Sequence, residues 1–301
     1  MEFAKGFKMS ATWLDGDLRM IRAGNPSPLT GAGTNTYLLG QGAVVVIDPG
    51  PVLHDHLETI LSALGPQEKV AAILVTHCHR DHSALARALS DRTGAQTYAF
   101  GPAHSGRSTV MQNLAEGGLA SGGEGFDEHF TPDNRLNDGD ILEIGPLRIE
   151  ALSTPGHTGC HMCFAQGGRL FSGDHVMAWA TSLISPPDGD MAAYMTSLAK
   201  LAARTWSIAC PGHGDPIFDP AKRLSELTHH RLARQDAVLA ALQDGPQSPA
   251  DLTRRIYTDL APDLLPAAER NVLAHLIKLW QEDLVLAIPA PLPQAMFAAK
   301  L

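Results

Sequence analysis

The sequence predicts an α/β fold followed by a small helical unit, and three observations carry that expectation. Short apolar runs alternate with amphipathic stretches through the first two thirds of the chain. Glycine- and proline-containing turns separate them. After Pro216 the pattern becomes helical, and each segment starts at or near a proline, a residue that suits the first turn of a helix. With 301 residues, 44% hydrophobic and 18% charged, the chain can bury a core without disulfide or metal staples.

Ala43–Ile47 reads as a buried strand ending in the turn Asp48-Pro49-Gly50. Leu53–Leu64 then carries Leu53, Leu57, Ile60, Leu61 and Leu64 at helical spacing. Ala71–Val75 is a second strand, Leu85–Leu89 lies in a second helix, and Gln96–Phe100 is a third strand. This βαβαβ order implies neighbouring parallel strands with helices packed on a face. Gly101–Asn134, with seven glycines, breaks the pattern. It reads as a surface excursion holding at most one short helix, either a lid over the site or a plain insertion. Strands return at Ile141–Ile144, Leu147–Leu152, Cys163–Ala165 and Arg169–Phe171, followed by a helix at Met191–Ala203 and a strand at Ser207–Cys210. The tail predicts helices at Pro220–Leu242, Pro249–Tyr257 and Pro266–Glu282, then a strand at Leu284–Ile288, the outline of a winged helix. The expected units are therefore 1–219 and 220–301.

Charge and cysteine content narrow the function classes. Lysine plus arginine is 23 against 32 acids, a net charge of −9, whereas a polyanion-binding protein is usually basic. All of that excess lies in Met1–Asp219; Pro220–Leu301 is neutral. A local patch of Arg231, Arg234, Arg254 and Arg255 is the remaining candidate for holding single-stranded RNA. No apolar run approaches the roughly 18 residues of a membrane span, and Met1–Ser10 lacks a signal-peptide apolar core. Four cysteines are too few for a disulfide scaffold, so a reducing, cytoplasmic setting is expected. Cys160 and Cys163 form a C-x-x-C without a partner pair, which favours small buried side chains over a zinc ribbon.

The chemistry concentrates in the 14 histidines. His77, His79, Asp81 and His82 follow the buried strand Ala71–Val75, and ligands of open α/β sheets gather beyond the carboxyl ends of strands. Alternate residues of an extended loop point the same way, so His77 and His79 can share a target. Asp81 and His82 fall at the start of the next helix. One histidine there would be packing; four such residues within six positions indicate a metal. His157, Asp174 and His213 each follow a further strand, and each is preceded by a glycine that lets the backbone turn sharply beside an ion.

This set resembles the metallo-β-lactamase superfamily, whose H-x-H-x-D-H motif is matched by His77, His79, Asp81 and His82 and whose later motifs are matched by His157, Asp174 and His213. The resemblance implies a four-layer αββα sandwich with a binuclear metal centre. It implies that His77, His79 and His157 hold the first ion, that Asp81, His82 and His213 hold the second, and that Asp174 bridges them. The superfamily often has a glycine pair after the last histidine of the motif; here Ser83-Ala84-Leu85 stands instead. Gly33-Thr34-Asn35-Thr36-Tyr37-Leu38, Gly173–Trp179, and Pro186-Pro187-Asp188-Gly189-Asp190 with Tyr194 are similar to the branch containing β-lactamase-like protein 2. The tail, with His230-Arg231 and Ala274-His275-Leu276, is similar to that branch's winged-helix domain.

The expected function is metal-assisted hydrolysis with two zinc ions, iron and manganese being compatible with the same ligand types. Zinc lowers the pKa of bound water to about 7, so hydroxide attacks a carbonyl or phosphoryl group at neutral pH, and Asp81 gains a catalytic part by holding it. A small ester or thioester is the favoured substrate. The alternatives are a single-stranded RNA endonuclease using the same centre and a mononuclear iron enzyme oxidising sulfur. Antibiotic-hydrolysing members are generally exported, which disfavours a lactam. His161, His175, Trp179 and Tyr194 are candidates for supporting the ligands or contacting substrate, with packing as the other reading of each. His54, His56, His229 and His230 sit on amphipathic segments and read as solvated. The tail's expected role is structural, covering the sandwich edge or forming a homodimer contact, ahead of nucleic-acid reading.

Overall fold

A hairpin of β1 (Thr12–Asp15) and β2 (Leu18–Arg22) leads to β3 (Asn35–Leu39) and β4 (Ala43–Ile47), all paired antiparallel. From β4 the pairing becomes parallel, which requires crossover connections. Helix α1 (His54–Ser62) supplies the first, leading to β5 (Lys69–Leu74). The second crossover carries α2 (Arg80–Ser83) and α3 (Ala86–Thr93) to β6 (Gln96–Ala99), and the third carries α4 (Thr109–Glu116) to β7 (Asn134–Arg135). A second sheet holds β8 (Ile141–Ile144), β9 (Leu147–Ser153), β10 (Met162–Gln166) and β11 (Arg169–Gly173) antiparallel. After α5 (Met191–Ala202), β12 (Ile208–Pro211) closes its edge parallel to β11. These are features of a computed structural model that describes residues 10–122 and 125–300; the leaderless N-terminus expected above lies, except for Ser10, outside the described residues.

Burial sorts the elements into layers. Tyr37, Val45, Ile47 and Leu74 from the first sheet meet Ile149, Met162, Phe164 and Phe171 from the second. On the outer side of the first sheet, Ile60 of α1 and Leu89 of α3 cover Val46 and Ile73. On the outer side of the second, Leu198 and Leu201 of α5 cover Leu170 and Ala209. This is the αββα sandwich. The tail forms α6 (Pro220–Ala241), α7 (Pro249–Ile256) and α8 (Leu265–Gln281), then a hairpin of β13 (Val285–Ile288) and β14 (Met296–Ala299). Asp219 and Ser248 cap α6 and α7, accepting from Lys222 N and Asp251 N at 3.0 and 3.2 Å, and a proline follows each cap. Leu224 and Leu227 of α6 pack into the second sheet's outer core, so the tail's first helix is also part of the sandwich's cover.

The structure corrects several expectations. β1, β2 and β3 precede Ala43–Ile47, which is therefore not the first buried strand. Asn35-Thr36-Tyr37 looks too polar for a core strand, yet all three are buried because each polar group is bonded inward. Asn35 Nδ2 and the Tyr37 hydroxyl donate to Pro211 O at 3.0 and 2.8 Å, and the Thr36 hydroxyl donates to Asp48 O at 2.6 Å. The strand β14, short and following a proline-rich turn, supplies the second arm of the wing. Gly101–Asn134 does contain one short helix, α4. It is anchored rather than loose, because Phe126 and Phe130 join the first sheet's outer core while Met111 and Leu114 join the tail's core. His56 is fully buried rather than solvated. Arg231 is also buried, and Arg254 and Arg255 pair with Asp251 and Asp244, so these guanidiniums do not form an open basic patch. Cys78, Cys160, Cys163 and Cys210 are free and buried. Among the described residues, no helix is long and apolar enough to cross a membrane.

Candidate metal centre

Strand ends deliver the seven residues. β5 releases the chain into the loop bearing His77 and His79, and α2 carries Asp81 and His82. His157 lies in the turn between β9 and β10, Asp174 follows β11, and His213 follows β12. The backbone between them must pass very close. A Cβ on Gly212 would lie 2.5 Å from Asp174 Oδ1 and 2.6 Å from His82 Cε1. A Cβ on Gly173, whose φ is +47°, would lie 2.7 Å from His161 Nε2.

Two ligand groups result. In the first, His77 Nε2 lies 3.0 Å and His157 Nε2 3.1 Å from His79 Nδ1. The protons of two of these rings are committed elsewhere. His157 Nδ1–H donates to Leu183 O at 2.7 Å, and His77 Nδ1–H donates to the Thr76 hydroxyl at 3.0 Å. Their Nε2 lone pairs therefore face His79. Burial holds His77 well below the usual imidazole range and holds His79 at about 3, so both are neutral and ready to ligate. In the second group, His82 Nε2 and His213 Nε2 are 3.3 Å apart, and Asp81 Oδ2 is 3.4 Å from the former and 3.3 Å from the latter.

Asp174 stands between the groups. Its Oδ2 is 3.3 Å from His213 Nε2 and 3.7 Å from His157 Nε2, and its Oδ1 is 3.5 Å from His82 Nε2. Against the opposing effect of burial, His213 and His82 hold the Asp174 carboxyl well below its usual range. Reciprocally, and again against burial, Asp174 and Asp81 raise His213 to about 9. The same carboxylates, joined by Asp48, raise His82.

These residues fit a pair of divalent ions. Three imidazole nitrogens converge where one proton could serve only one contact. Asp174 Oδ1 is buried with no hydrogen-bond partner. Five imidazoles and two carboxylates are donors that zinc accepts, and the triplets His77/His79/His157, His77/His82/Asp174 and Asp81/His82/His213 each have ligand atoms within 4.8 Å of one another.

Supporting residues surround the seven. Asp48 and Thr34 were not singled out from sequence. Asp48 accepts from His82 Nδ1–H at 2.9 Å and from the Thr76 backbone N–H and hydroxyl at 2.7 and 2.8 Å. Thr34 donates its hydroxyl to Asp81 Oδ2 at 2.9 Å. Asp48 lies in the turn Asp48-Pro49-Gly50 and Thr34 in the Gly33–Leu38 stretch quoted above, and neither was assigned a role there. His161 donates to Thr154 Oγ1 at 2.9 Å and accepts from Asp174 N at 3.3 Å, so it holds the backbone of the central aspartate. His175 is wholly buried, with its ring 4.5 Å from that of Tyr194. Tyr194 is core, not pocket wall, and its hydroxyl donates to His175 O at 3.0 Å. Trp179 is half-exposed and does line the cavity above the cluster.

That cavity, of about 310 Å³, has His79, Asp81, His157, Asp174 and His213 on its floor. Leu29, Met177, Trp179 and Leu183 wall one part, and Leu264, Ala267 and Asn271 of the tail wall another. Among the described residues that line it there is no lysine or arginine. Leu29, Leu183, Leu264 and Ala267 also border a neighbouring hollow of about 710 Å³, which Arg270, Asp263 and Glu269 flank.

Comparisons with known proteins agree with this geometry. Residues 29–213 match the family described as Metallo-beta-lactamase superfamily, and residues 248–289 match the Beta-lactamase associated winged helix domain. The chain is 30% identical over 291 residues to a Beta-lactamase-like protein 2 homolog from Drosophila melanogaster, covering 91% of each. It is 30% identical over 240 residues to an Atrochrysone carboxyl ACP thioesterase from Aspergillus chevalieri, covering 77% of this chain and 68% of that protein. The fold is shared with a Beta-lactamase domain protein from Burkholderia ambifaria, at a TM-score of 0.78 and 22% identity, covering 96% of this chain and 93% of that one.

Proposed function

The chain belongs to the metallo-beta-lactamase superfamily as a metal-dependent hydrolase, and on that premise we propose that it holds two zinc ions and cleaves a small ester or thioester with an apolar group. The observation that carries the choice of substrate is the cavity: apolar walls, a ligand floor and, among the described residues, no lysine or arginine in its lining. The similarity to a protein named as a thioesterase supports the same reading.

His77, His79 and His157 would hold one ion, Asp81, His82 and His213 the other, and Asp174 both. When bound, a zinc pair lowers the pKa of water to about 7 and polarises the carbonyl under attack. The chain's own groups do the rest. Asp81, fixed by the Thr34 hydroxyl, offers a carboxylate oxygen that accepts a hydrogen bond from the attacking water and orients it. Leu29, Trp179 and Leu264 seat the apolar group and exclude water from the floor. The division into 1–219 and 220–301 belongs to this proposal, with the second unit acting as a wall of the pocket rather than a nucleic-acid reader. So does a reducing, cytoplasmic setting, which the four free cysteines suit.

The test is a paired assay on aryl thioesters and single-stranded RNA, with Asp81→Ala as control and metal analysis alongside. Thioester turnover lost in the variant, with about two zinc ions per chain, is expected. RNA cleavage without thioester turnover would overturn the substrate reading, and one iron per chain would overturn the metal reading.

A further inference from the structure

Residues 177–186, between Asp174 and α5, form no strand or helix, yet they include Leu183, whose carbonyl takes the His157 proton. The tail holds this segment along its length. Arg223 of α6 donates to Met177 O and Ala180 O at 2.7 and 2.8 Å. Arg231 of α6 donates to Ser182 O, and Arg270 of α8 to Pro186 O. Asn271 of α8 accepts from Ile184 N at 3.1 Å and from Arg231 Nη1 at 3.2 Å through one oxygen, Oδ1. Leu183 thus sits between two residues whose backbone is fixed by Arg231 and Asn271.

Burial makes this arrangement costly unless it does something. Arg231 is 2% exposed, has no acidic partner among the described residues, and lies 5.0 Å from the Tyr194 ring centroid. A buried guanidinium whose Nη1 and Nη2 meet only neutral acceptors and whose Nε meets none is an expensive way to hold a loop, since an apolar residue could fill the same space. A guanidinium, however, reaches Ser182 O and Asn271 Oδ1 together, and fixes the direction of the carbonyl between them.

We infer that Arg231 and Asn271 are positioning residues for the metal centre, setting the orientation and tautomer of His157 through Leu183 O. The helical tail is then an outer frame of the first ligand group as well as a wall of the pocket. This rests on the reading of His157 as a ligand. With Leu183 O in place, His157 carries its proton on Nδ1 and offers Nε2 to the ion; without it, the two tautomers compete.

The variant Asn271→Leu keeps the branched shape of the side chain and removes the shared acceptor. Asn271→Asp restores it and gives Arg231 a charged partner. Imidazole tautomers in metal-free protein are read by long-range proton–nitrogen correlation, and zinc affinity by competition with a chromogenic chelator. Asn271→Leu should stay folded with a lowered melting temperature, because Arg231 and Ile184 N lose their acceptor, show mixed His157 tautomers, and weaken one of the two zinc steps about tenfold. Asn271→Asp should recover a single tautomer and the affinity. A folded Asn271→Leu with one His157 tautomer and unchanged zinc affinity would overturn the inference alone. A wild-type protein that bound no zinc would overturn the zinc reading and this inference with it.

Discussion

Asp48 Oδ2 accepts from His82 Nδ1 at 2.9 Å and from the Thr76 hydroxyl at 2.8 Å, and that hydroxyl in turn accepts from His77 Nδ1 at 3.0 Å. One carboxylate therefore orients a histidine of each ligand group. A carboxylate does this because it only accepts: His82 must point its proton at Asp48, the Thr76 hydroxyl must donate to it and so accept from His77, and both rings turn their lone pairs to the centre.

Asp48→Asn should break that arrangement without straining the chain, since Asn tolerates the left-handed backbone that Asp48 adopts at φ 52°. The amide N–H₂ cannot accept, so either His82 or Thr76 loses its partner. Zinc affinity or kcat should fall about 10- to 100-fold. Zinc content after dialysis and initial rates decide the matter, and wild-type values for both would refute the assignment.

Gly212→Ala tests how closely the backbone must approach the centre. Its Cβ would stand 2.5 Å from Asp174 Oδ1, and the backbone cannot withdraw because Gly212 N donates to Gly173 O at 2.8 Å while Gly212 O accepts from Asn35 N at 2.7 Å. The carboxylate must move instead. The expected outcome is a folded protein, destabilised by about 1–3 kcal/mol, with loss of bound metal. A crystal structure with Asp174 and both ions undisturbed would contradict it.

The contrast between Gly212 and Asn271 explains what the sequence could and could not convey. Each of the seven clustered residues lies in a short motif after a strand, and glycines beside His157, Asp174 and His213 mark where the chain must turn under an ion. Such information is local and survives reading in one dimension. Arg231 and Asn271 act through a loop 40 or more residues away in the chain, and no local pattern marks either. β3 was not assigned from the sequence for a related reason. Its Asn, Thr and Tyr are satisfied by Pro211 and Asp48, so polarity that signals a surface when read alone is here core wiring. The helices of the tail, capped by Asp219 and Ser248 before proline, were legible because capping is local too.

Metal removal should loosen the protein without unfolding it. The cores on both faces of the first sheet and beneath α5 do not depend on the centre. The centre itself gathers seven ionisable groups, and any ion bound only by the folded state stabilises it by mass action. Free zinc at 100 times its dissociation constant contributes about 2.7 kcal/mol per site. Chelation should therefore lower Tm by several degrees, and zinc should restore it. An unchanged Tm under both treatments would show that no folded-state metal site exists.

His56 gives a pH dependence whose sign can be worked out. Its ring is fully buried, Nε2–H donates to the Thr36 hydroxyl at 2.8 Å, and Nδ1 has no partner. Burial lowers the pKa to about 4 from the ordinary 6.5. Between those values the unfolded chain binds a proton that the folded chain refuses. Stability is then complete above pH 6.5 and is lost as the pH falls toward 4. The full difference corresponds to ~3 kcal/mol. His56→Gln retains an N–H for Thr36 and has nothing to titrate. Urea midpoints of metal-free wild type and variant at pH 7 and pH 4.5 should show a smaller acid loss in the variant, because the ligand histidines titrate equally in both. Equal losses would mean that the buried ring accepts its proton without opening the α1 contact with β3.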